Sequence, residues 1–160
     1  MTDKVVLVIY GRGGHKEEMR RLILNLKAEQ SDFKFVSIAD VADTFGAIKH
    51  YSCPEPRDKF NNSTAPFQLV YSSTKAVIQT LKLASQYKIS GIISTGPGMA
   101  VLPSILFRLM NKKVIFIEDW SRFYSGSLTG KAMYRIANVF YVQNKALLKH
   151  YPKAIFSGRL

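Results

Sequence analysis

The chain alternates between short apolar runs and longer amphipathic stretches. Residues 5–10 form a continuous apolar run rich in β-branched side chains, which predicts a strand buried on both faces of a parallel sheet. Gly11-Arg12-Gly13-Gly14 interrupts this run, and after His15 the apolar residues recur at the spacing of a helix. This order predicts a strand, a glycine-rich turn and a helix.

The rest of the chain follows the same alternation. The pattern predicts, in order, strand 33–38, helix 67–88, strand 91–94, helix 99–110, strand 113–117, helix 130–137, strand 139–142, helix 145–150 and strand 154–156. Segments 46–66 and 118–129 have no clear period and are predicted to be loops. Alternating strands and helices in 160 residues predict a single α/β domain, residues 1–160, with a Rossmann-like parallel sheet.

Three polar or glycine-rich segments directly follow predicted strands. They are residues 11–15, 95–98 and 118–129. In open α/β sheets, ligands bind outside the carboxyl ends of the strands. We therefore expect these segments to meet along one edge of the sheet and to form the functional site.

The charge balance narrows the choice of ligands. The chain has 23 Lys and Arg against 11 Asp and Glu, a net charge of +12, which favours nucleic acid, anionic lipid headgroups or phosphorylated ligands. Cys53 is the only cysteine, so no intrachain disulfide can form. No apolar stretch reaches the length of a membrane span and no signal peptide is recognisable, so we expect any membrane contact to be peripheral or through a partner.

The glycine-rich turn is the first candidate site. Gly11, Gly13 and Gly14 allow close approach of the backbone to a ligand, and amides at a helix N-terminus favour an anion, so a phosphate or pyrophosphate site is expected, with Arg12 and Lys16 adding positive charge. The alternative is a tight strand-to-helix turn without a ligand, but three glycines exceed what such a turn needs.

A dinucleotide-binding loop is the competing interpretation of the same turn. That motif requires a third glycine where Lys16 stands, and an acidic residue near the end of the second strand, a position that Asp40 roughly occupies. The alternative is therefore weakened and stays open, as a dinucleotide-dependent oxidoreductase fragment.

His15 and Glu118 are the candidate catalytic residues. His15 could act as a base or contact the ligand, and the positive end of the helix would favour its neutral form. Glu118 follows a buried strand and could orient His15, serve as a base, pair with Arg122 or be a structural acid. No metal site is expected.

Two further segments complete the set of candidates. Ser127, Thr129 and Lys131 beside a helix start suggest a second phosphate site, without the spacing of a P-loop. Gly96 and Gly98 could admit a ligand or partner, or form only a turn. The apolar helix 99–110, with a basic end, is either a core helix or one that docks on lipid.

Taken together, these motifs resemble a known family, the acceptor-side subunit of the bipartite N-acetylglucosaminyltransferase of lipid-linked oligosaccharide synthesis (asparagine-linked glycosylation protein fourteen). Bacterial relatives of the PssD type serve capsule and exopolysaccharide synthesis. The resemblance is carried by Gly11-x-Gly-Gly-His15, Glu18-Met19, Thr95-Gly-Pro-Gly98, Pro103, Ile115-Phe-Ile-Glu118, Arg122, Ser127-Leu-Thr-Gly-Lys131, Val142-Gln143, Tyr151-Pro152 and Ser157-Gly158.

The resemblance implies the N-terminal half of a GT-B glycosyltransferase. A separate small subunit would bind the UDP-sugar donor, so this chain would bind no cofactor, and it would recruit that subunit to the membrane and bind a polyprenyl-diphosphate-linked sugar acceptor. The glycine loop and His15 would face the acceptor, and Glu118 and Arg122 would line the cleft between the halves. Eukaryotic members carry an N-terminal membrane helix that is not seen here, so we expect a bacterial member on the cytoplasmic face of the membrane.

Nucleic acid is the remaining alternative partner. The positive charge permits it, but aromatic and basic residues do not interleave in a recognition motif, so we expect no nucleic acid to bind.

Overall fold

The computed structural model describes residues 5–29, 32–54 and 65–160. Its strands are β1 (Val5–Tyr10), β2 (Lys34–Ala39), β3 (His50–Ser52), β4 (Ile89–Ser94), β5 (Lys113–Ile117), β6 (Val139–Val142) and β7 (Ile155–Phe156). Its α-helices are α1 (Gly14–Glu29), α2 (Ala65–Gln86), α3 (Val101–Leu109) and α4 (Leu128–Ile136), and 3₁₀ helices span Gly98–Ala100 and Lys145–Lys149.

All seven strands pair in parallel in the order β3-β2-β1-β4-β5-β6-β7. From β1 the chain moves outward through β2 and β3, returns to β4 beside β1, and continues outward on the other side. The order of the strands therefore reverses between β1 and β4. In such sheets the loops that leave these two strands diverge and open a crevice for ligands.

The two faces of the sheet are covered differently. On one face, Met19 and Ile23 of α1 pack on Val8, Tyr10 and Phe35 of β1 and β2. On the other face, side chains of α2, α3 and α4 join those of β1, β4, β5 and β6 in the larger core cluster. Helix α3 lies between α2 and α4.

The α1 face is less completely covered towards β7. Ile115, Val139 and Tyr141 lie on this face and are only partly buried, and Ile155 and Phe156 of β7 are exposed. Within the residues that the structure describes, α1 is the only α-helix that contributes to the cluster on this face. Apolar side chains of β5, β6 and β7 therefore remain accessible.

Most of the predicted elements are confirmed. Strands 5–10, 113–117 and 139–142 have the predicted bounds, because each is a short apolar run between polar residues or glycines. The predicted helix 99–110 divides into a 3₁₀ turn and α3, and helix 130–137 begins earlier, at Leu128, because the Ser127 hydroxyl accepts a hydrogen bond from the Gly130 amide and caps it.

The loop predicted over 46–66 was partly wrong. It contains strand β3, which pairs with β2 over three residues at the edge of the sheet. The sequence His50-Tyr51-Ser52 has no apolar run, so a strand of this kind depends on its neighbour for recognition. Residues 55–64 of the predicted loop lie outside the described residues.

Among the described helices, none combines the length and the apolar character that crossing a bilayer requires. Helix α2 is long enough but carries polar residues along its length.

Candidate functional site

The glycine-rich loop after β1 lies at the crevice between β1 and β4. Gly13 has φ +70°, in the left-handed region that glycine adopts without strain, and Gly14 begins α1. A Cβ on Gly13 would meet no other atom within 4 Å, so this side of the loop is open. A Cβ on Gly14 would lie 3.4 Å from Nε1 of Trp120. Both glycines stand at the N-terminus of α1, where backbone amides and the helix dipole favour an anion.

The loop after β4 packs directly against the glycine-rich loop. A Cβ on Gly11 would lie 3.2 Å from Pro97, and a Cβ on Gly96 (φ +108°) would lie 2.6 Å from the ring of His15. The Thr95 hydroxyl donates a hydrogen bond of 2.9 Å to the His15 carbonyl. Gly96 thus makes room for the imidazole, which the two loops hold between them.

Two carboxylates face His15 on its other side. Its Nδ1 atom lies 3.6 Å from Oε2 of Glu18 and 3.8 Å from Oδ2 of Asp119. The other oxygen of Glu18 accepts hydrogen bonds from the Trp120 amide (2.6 Å) and from Nε2 of Gln143 (2.8 Å). Glu18 is completely buried, and its Oε2 and the Nδ1 of His15 make no closer hydrogen bond. The protein therefore holds Nδ1 of His15 and Oε2 of Glu18 just beyond hydrogen-bond distance of each other.

Burial and the two carboxylates act in opposite directions on His15. Burial disfavours the charged imidazolium, but Glu18 and Asp119 outweigh it, with a smaller contribution from the backbone of Thr95, so the pKa of His15 is raised above 6.5. Burial, together with Asp119, raises the pKa of Glu18 above its usual range. Our expectation of a neutral imidazole considered only the helix end, whereas these carboxylates shift the pKa of His15 in the opposite direction. In its protonated form His15 would suit an anionic ligand.

Glu118 does not orient His15; Glu18 occupies that position. The Glu118 carboxylate is buried and accepts hydrogen bonds from the Ser127 hydroxyl (2.8 Å) and the Tyr151 hydroxyl (2.9 Å). A Cβ on Gly130 would lie 1.7 Å from its Oε2 atom. These contacts place Glu118 in the packing between the β5 loop and α4. Burial, and then the charge of Glu118, raises the pKa of Tyr151.

The predicted basic residues are distributed over several places. The Nε atom of Arg12 lies 3.9 Å from Asp40, and Nζ of Lys16 lies 3.1 Å from Asp43, so carboxylates accompany both cations at the glycine loop. Arg122 is exposed in the β5 loop, and no ion pair in the described part of the chain joins it to Glu118.

The residues of the predicted second phosphate site also separate. The hydroxyl of Thr129 lies 3.5 Å from the position of a Cβ on Gly98, so these two residues face each other beside the β4 loop. Ser127 is occupied as the cap of α4 and by Glu118. Lys131 lines a different cavity, together with Arg135 and Lys153. The structure therefore brings together Gly11, Gly14, His15, Gly96 and Gly98, and it separates Glu118, Ser127 and Lys131 from them.

Sequence reasoning gave no site role to Glu18, Asp119, Trp120 or Gln143. Glu18 was named only among the residues that carry the resemblance, although a spacing of three residues puts it on the same helix face as His15. Arg21 and Arg159 lie over the Trp120 ring, at 5.0 Å and 4.9 Å from its centroid. Gln143, which directly follows β6, belongs to the motifs of the resemblance, but no local pattern indicates that its side chain reaches Glu18 across 125 residues of chain.

No group of three or more His, Cys, Asp and Glu side chains suited to a metal ion occurs within residues 5–29, 32–54 and 65–160.

Comparison with known families agrees with the motifs. Residues 6–160 match the family model described as "Oligosaccharide biosynthesis protein Alg14 like". The human UDP-N-acetylglucosamine transferase subunit ALG14 is 26% identical over 180 positions, which cover 97% of this chain and 82% of the human protein. The subunit of the same name from Schizosaccharomyces pombe is 27% identical over 176 positions, covering 98% of this chain and 83% of that protein.

Solved structures with the same fold include glycosyltransferases. MurG from Acinetobacter baumannii superimposes with a TM-score of 0.63 at 17% identity, over 90% of this chain and 43% of MurG. The spinosyn rhamnosyltransferase SpnG, complexed with thymidine diphosphate, superimposes with a TM-score of 0.58 at 14% identity, over 99% of this chain and 50% of SpnG. The chain therefore has the fold of about half of a GT-B glycosyltransferase, as the resemblance implied.

One implication of the resemblance was wrong. We expected a member of the bacterial branch, but the curated relatives described above come from human and fission yeast, and further ones come from rodents and other yeasts.

Proposed function

This chain belongs to the family of Alg14-like oligosaccharide biosynthesis proteins, and we propose that it is the acceptor-binding subunit of a two-chain UDP-sugar glycosyltransferase that extends a polyprenyl-diphosphate-linked sugar. The proposal rests on the share of each relative's length that this chain matches. The chain covers 82% of the human subunit and 43% of MurG, so it corresponds in extent to a transferase subunit and to half of a single-chain enzyme.

The donor is proposed from the relatives and the acceptor from the site. The curated relatives are UDP-N-acetylglucosamine transferase subunits, which favours N-acetylglucosamine as the transferred sugar. In the present chain the position of Gly13 and Gly14 at the N-terminus of α1 and the raised pKa of His15 favour an anionic group, as the diphosphate of a lipid carrier would be. The donor would then bind to the partner subunit.

The accessible side of the sheet supports a heterodimer. Ile115, Val139 and Tyr141 are only partly buried on a face where the described helices leave β5 and β6 uncovered. A partner that docks there would bury these apolar side chains and would stand beside the carboxyl ends of the strands, where the glycine loops lie.

Helices α2 and α3 support attachment to an anionic membrane surface. Phe67 and Leu109 have 79% and 78% of their surface exposed, and Val70, Leu102 and Ile105 are also exposed on these helices. The outer side of α3 is therefore apolar, while Phe107 on its inner side is buried. Basic residues lie at the end of α3: Arg108, Lys112 and Lys113. An apolar surface beside basic residues is typical of peripheral binding to anionic lipids, here on the cytoplasmic face.

The route that the subunit serves is the remaining part of the proposal. The relatives favour lipid-linked oligosaccharide synthesis over the capsule and exopolysaccharide synthesis of the PssD type. A dinucleotide-dependent oxidoreductase is not favoured, because Lys16 replaces the third glycine and Asp40 is accompanied by Arg12.

The test is reconstitution of transfer with the partner chain. We expect labelled N-acetylglucosamine to pass from its UDP donor to a polyprenyl-diphosphate-linked monosaccharide only when this chain and a UDP-sugar-binding subunit are both present. His15→Ala should lower kcat/KM by about 10²-fold or more if His15 acts on the acceptor hydroxyl, whereas the exposed Lys145→Ala should not. A rise in KM alone would assign His15 to diphosphate binding. Absence of transfer from the assembled pair would refute the proposed function.

A further inference from the structure

A second cavity lies between α4 and the segment that follows the 3₁₀ helix Lys145–Lys149. Its volume is about 670 Å³, within the range of small-molecule sites. Ala137 and Asn138, which directly precede β6, line one part of it, and Tyr151, whose hydroxyl donates to Glu118 directly after β5, lines another. None of the lining residues belongs to the glycine-rich loop, which follows β1, three strands away from β6 in the sheet. The full lining consists of Lys131, Tyr134, Arg135, Ala137, Asn138, Phe140, His150, Tyr151 and Lys153.

The lining of this cavity carries positive charge without a carboxylate. Lys131, Arg135 and Lys153 are cationic at neutral pH, His150 is the fourth basic group, and none of the lining residues is Asp or Glu. No salt bridge in the described part of the chain involves these side chains. Cations brought together at one concave surface repel each other and raise the local concentration of anions.

Hydrogen bonds hold the cavity in shape. Arg135 itself makes only a long contact of 3.5 Å from Nη1 to the Lys131 carbonyl, which leaves its other N–H donors available. The Tyr134 hydroxyl on α4 accepts a hydrogen bond of 2.8 Å from the Lys153 amide, and Nε2 of His150 lies 2.7 Å from the Tyr124 carbonyl. The inner wall contains Phe140 and Tyr151, both buried. A ligand would therefore enter an existing site rather than create one, which lowers the cost of binding.

We propose that this cavity is a second anion site, which binds the phosphate or diphosphate group of a small ligand. Arg135 presents a planar guanidinium suited to two phosphate oxygens, and Lys131 and Lys153 approach from two different segments of the chain. The volume exceeds that of a phosphate alone, so a sugar, a nucleoside or a lipid glycerol could be attached. The inference rests on the cavity and does not depend on the proposed transferase function.

The experiment is a titration of the full chain with inorganic pyrophosphate at constant ionic strength, followed through backbone amide chemical shifts. We expect saturable shifts at Asn138 and Lys153. The double variant Arg135→Gln, Lys153→Gln should weaken this binding by about tenfold or more, since hydrogen bonds between charged groups are lost. Lys149→Gln, which removes a charge from the same region outside the cavity, should leave it unchanged.

The same spectra separate this site from the glycine loop, because shifts at Gly13 and Gly14 report on that loop independently. Parallel titrations with phosphatidylglycerol and phosphatidylcholine vesicles distinguish the source of the phosphate. Competition by the anionic vesicles alone would assign the site to a lipid headgroup, and its absence would assign it to a soluble phosphorylated compound. No response at Asn138 and Lys153 to any phosphate probe, or equal binding by the double variant, would overturn the proposal.

Discussion

At the scale of single residues, the environment of His15 explains the direction in which its pKa is shifted. For a half-buried histidine next to a completely buried glutamate, ionisation of either group alone would be costly, whereas the ionised pair partly offsets the cost of burial. The second carboxylate, Asp119, tips the balance towards the imidazolium. Because Nδ1 of His15 points at these acids, the ring can present its other nitrogen or its face to a ligand between the loops.

Substitution of Glu18 should reverse the shift of His15. With Glu18→Gln the largest source of stabilisation of the imidazolium is lost and burial dominates, so we expect the pKa of His15 to fall. NMR titration of the histidine ring measures it directly. Glu17→Gln is the matched control, because Glu17 is exposed and pairs with Arg20 and Arg21 instead. An unchanged pKa in Glu18→Gln would mean that the pair is not coupled.

The direction of this shift determines the sign of the pH dependence. The folded-state pKa of His15 is raised above the unfolded value of about 6.5, so its stabilising contribution is present below pH 6.5 and is lost as the pH rises through the folded-state pKa. Glu18 has a raised pKa and acts in the same direction at lower pH. Denaturation of wild type and His15→Gln across this range should show a difference that shrinks as the pH rises.

Single residues also mark the limit of reading the sequence. The glycine loop and His15 could be found because their positions follow directly from strand and helix periodicity. The sequence could not show that Glu18, and not Glu118, is the partner of His15. Both acids lie near the same edge of the sheet, and only the direction of each side chain distinguishes them. Side-chain direction depends on packing between distant segments, as the contact of Gln143 with Glu18 illustrates.

The packing around Glu118 should be essential for stability. Gly130→Ala would place a methyl group 1.7 Å from a carboxylate oxygen, and we expect a loss of about 1–3 kcal/mol in the free energy of unfolding. Glu118→Gln should cost a similar amount, because the amide nitrogen cannot accept the hydrogen bond that one hydroxyl donates. Chemical denaturation measures both. The neighbouring exposed Lys131→Ala should stay within about 0.5 kcal/mol of wild type, and a comparably small effect of Gly130→Ala would contradict the packing described.

At the scale of elements, the predicted strands were accurate where burial on both faces leaves a continuous apolar run. Strand β3 was missed because it pairs on only one side, over three residues, and its sequence has no such run. The two interpretations of helix 99–110 as a core helix or a lipid-docking helix are compatible. Phe107 is buried in the core while Leu102 and Leu109 are exposed, so one helix has both faces.

The exposed face of α3 predicts binding to anionic vesicles. Leu109→Glu removes an apolar side chain that the lipid would bury and adds a negative charge, so we expect binding to weaken by about tenfold or more. Leu24→Glu is the control, since Leu24 is 53% exposed on α1, on the other side of the sheet. Co-sedimentation with vesicles containing phosphatidylglycerol measures both. Equal loss in the two variants would indicate a general effect of charge rather than a docking face.

At the scale of the whole molecule, the sheet separates two surfaces with different proposed roles. Helices α2 and α3 present apolar residues on one side, and β5 and β6 present Ile115, Val139 and Tyr141 on the other. On the helix side, a Cβ on Gly98 in the β4 loop would lie 3.0 Å from Leu69 of α2, and on the other side the Tyr141 carbonyl accepts a hydrogen bond from the Glu118 amide. Parts of both surfaces therefore reach the carboxyl edge of the sheet, where the loops of β1 and β4 hold His15. This arrangement would allow a lipid-linked acceptor to reach the edge from one side while a donor-binding partner closes over it from the other.

The two surfaces should therefore be separable by substitution. Val139→Glu introduces a charge on the β6 side, and we expect it to abolish co-purification with the partner subunit while vesicle binding is retained, because a buried unpaired charge is costly at an interface. Ile105→Glu, on the outer side of α3, should have the opposite effects. Each variant is thus the control for the other, and unchanged melting temperatures would show that both remain folded.

Glycosyl transfer should fall in both variants, but under different conditions. We expect it to fall in Val139→Glu with any acceptor, and in Ile105→Glu only with acceptors embedded in a membrane. Loss of both partner and vesicle binding in one folded variant would mean that a single surface serves both contacts.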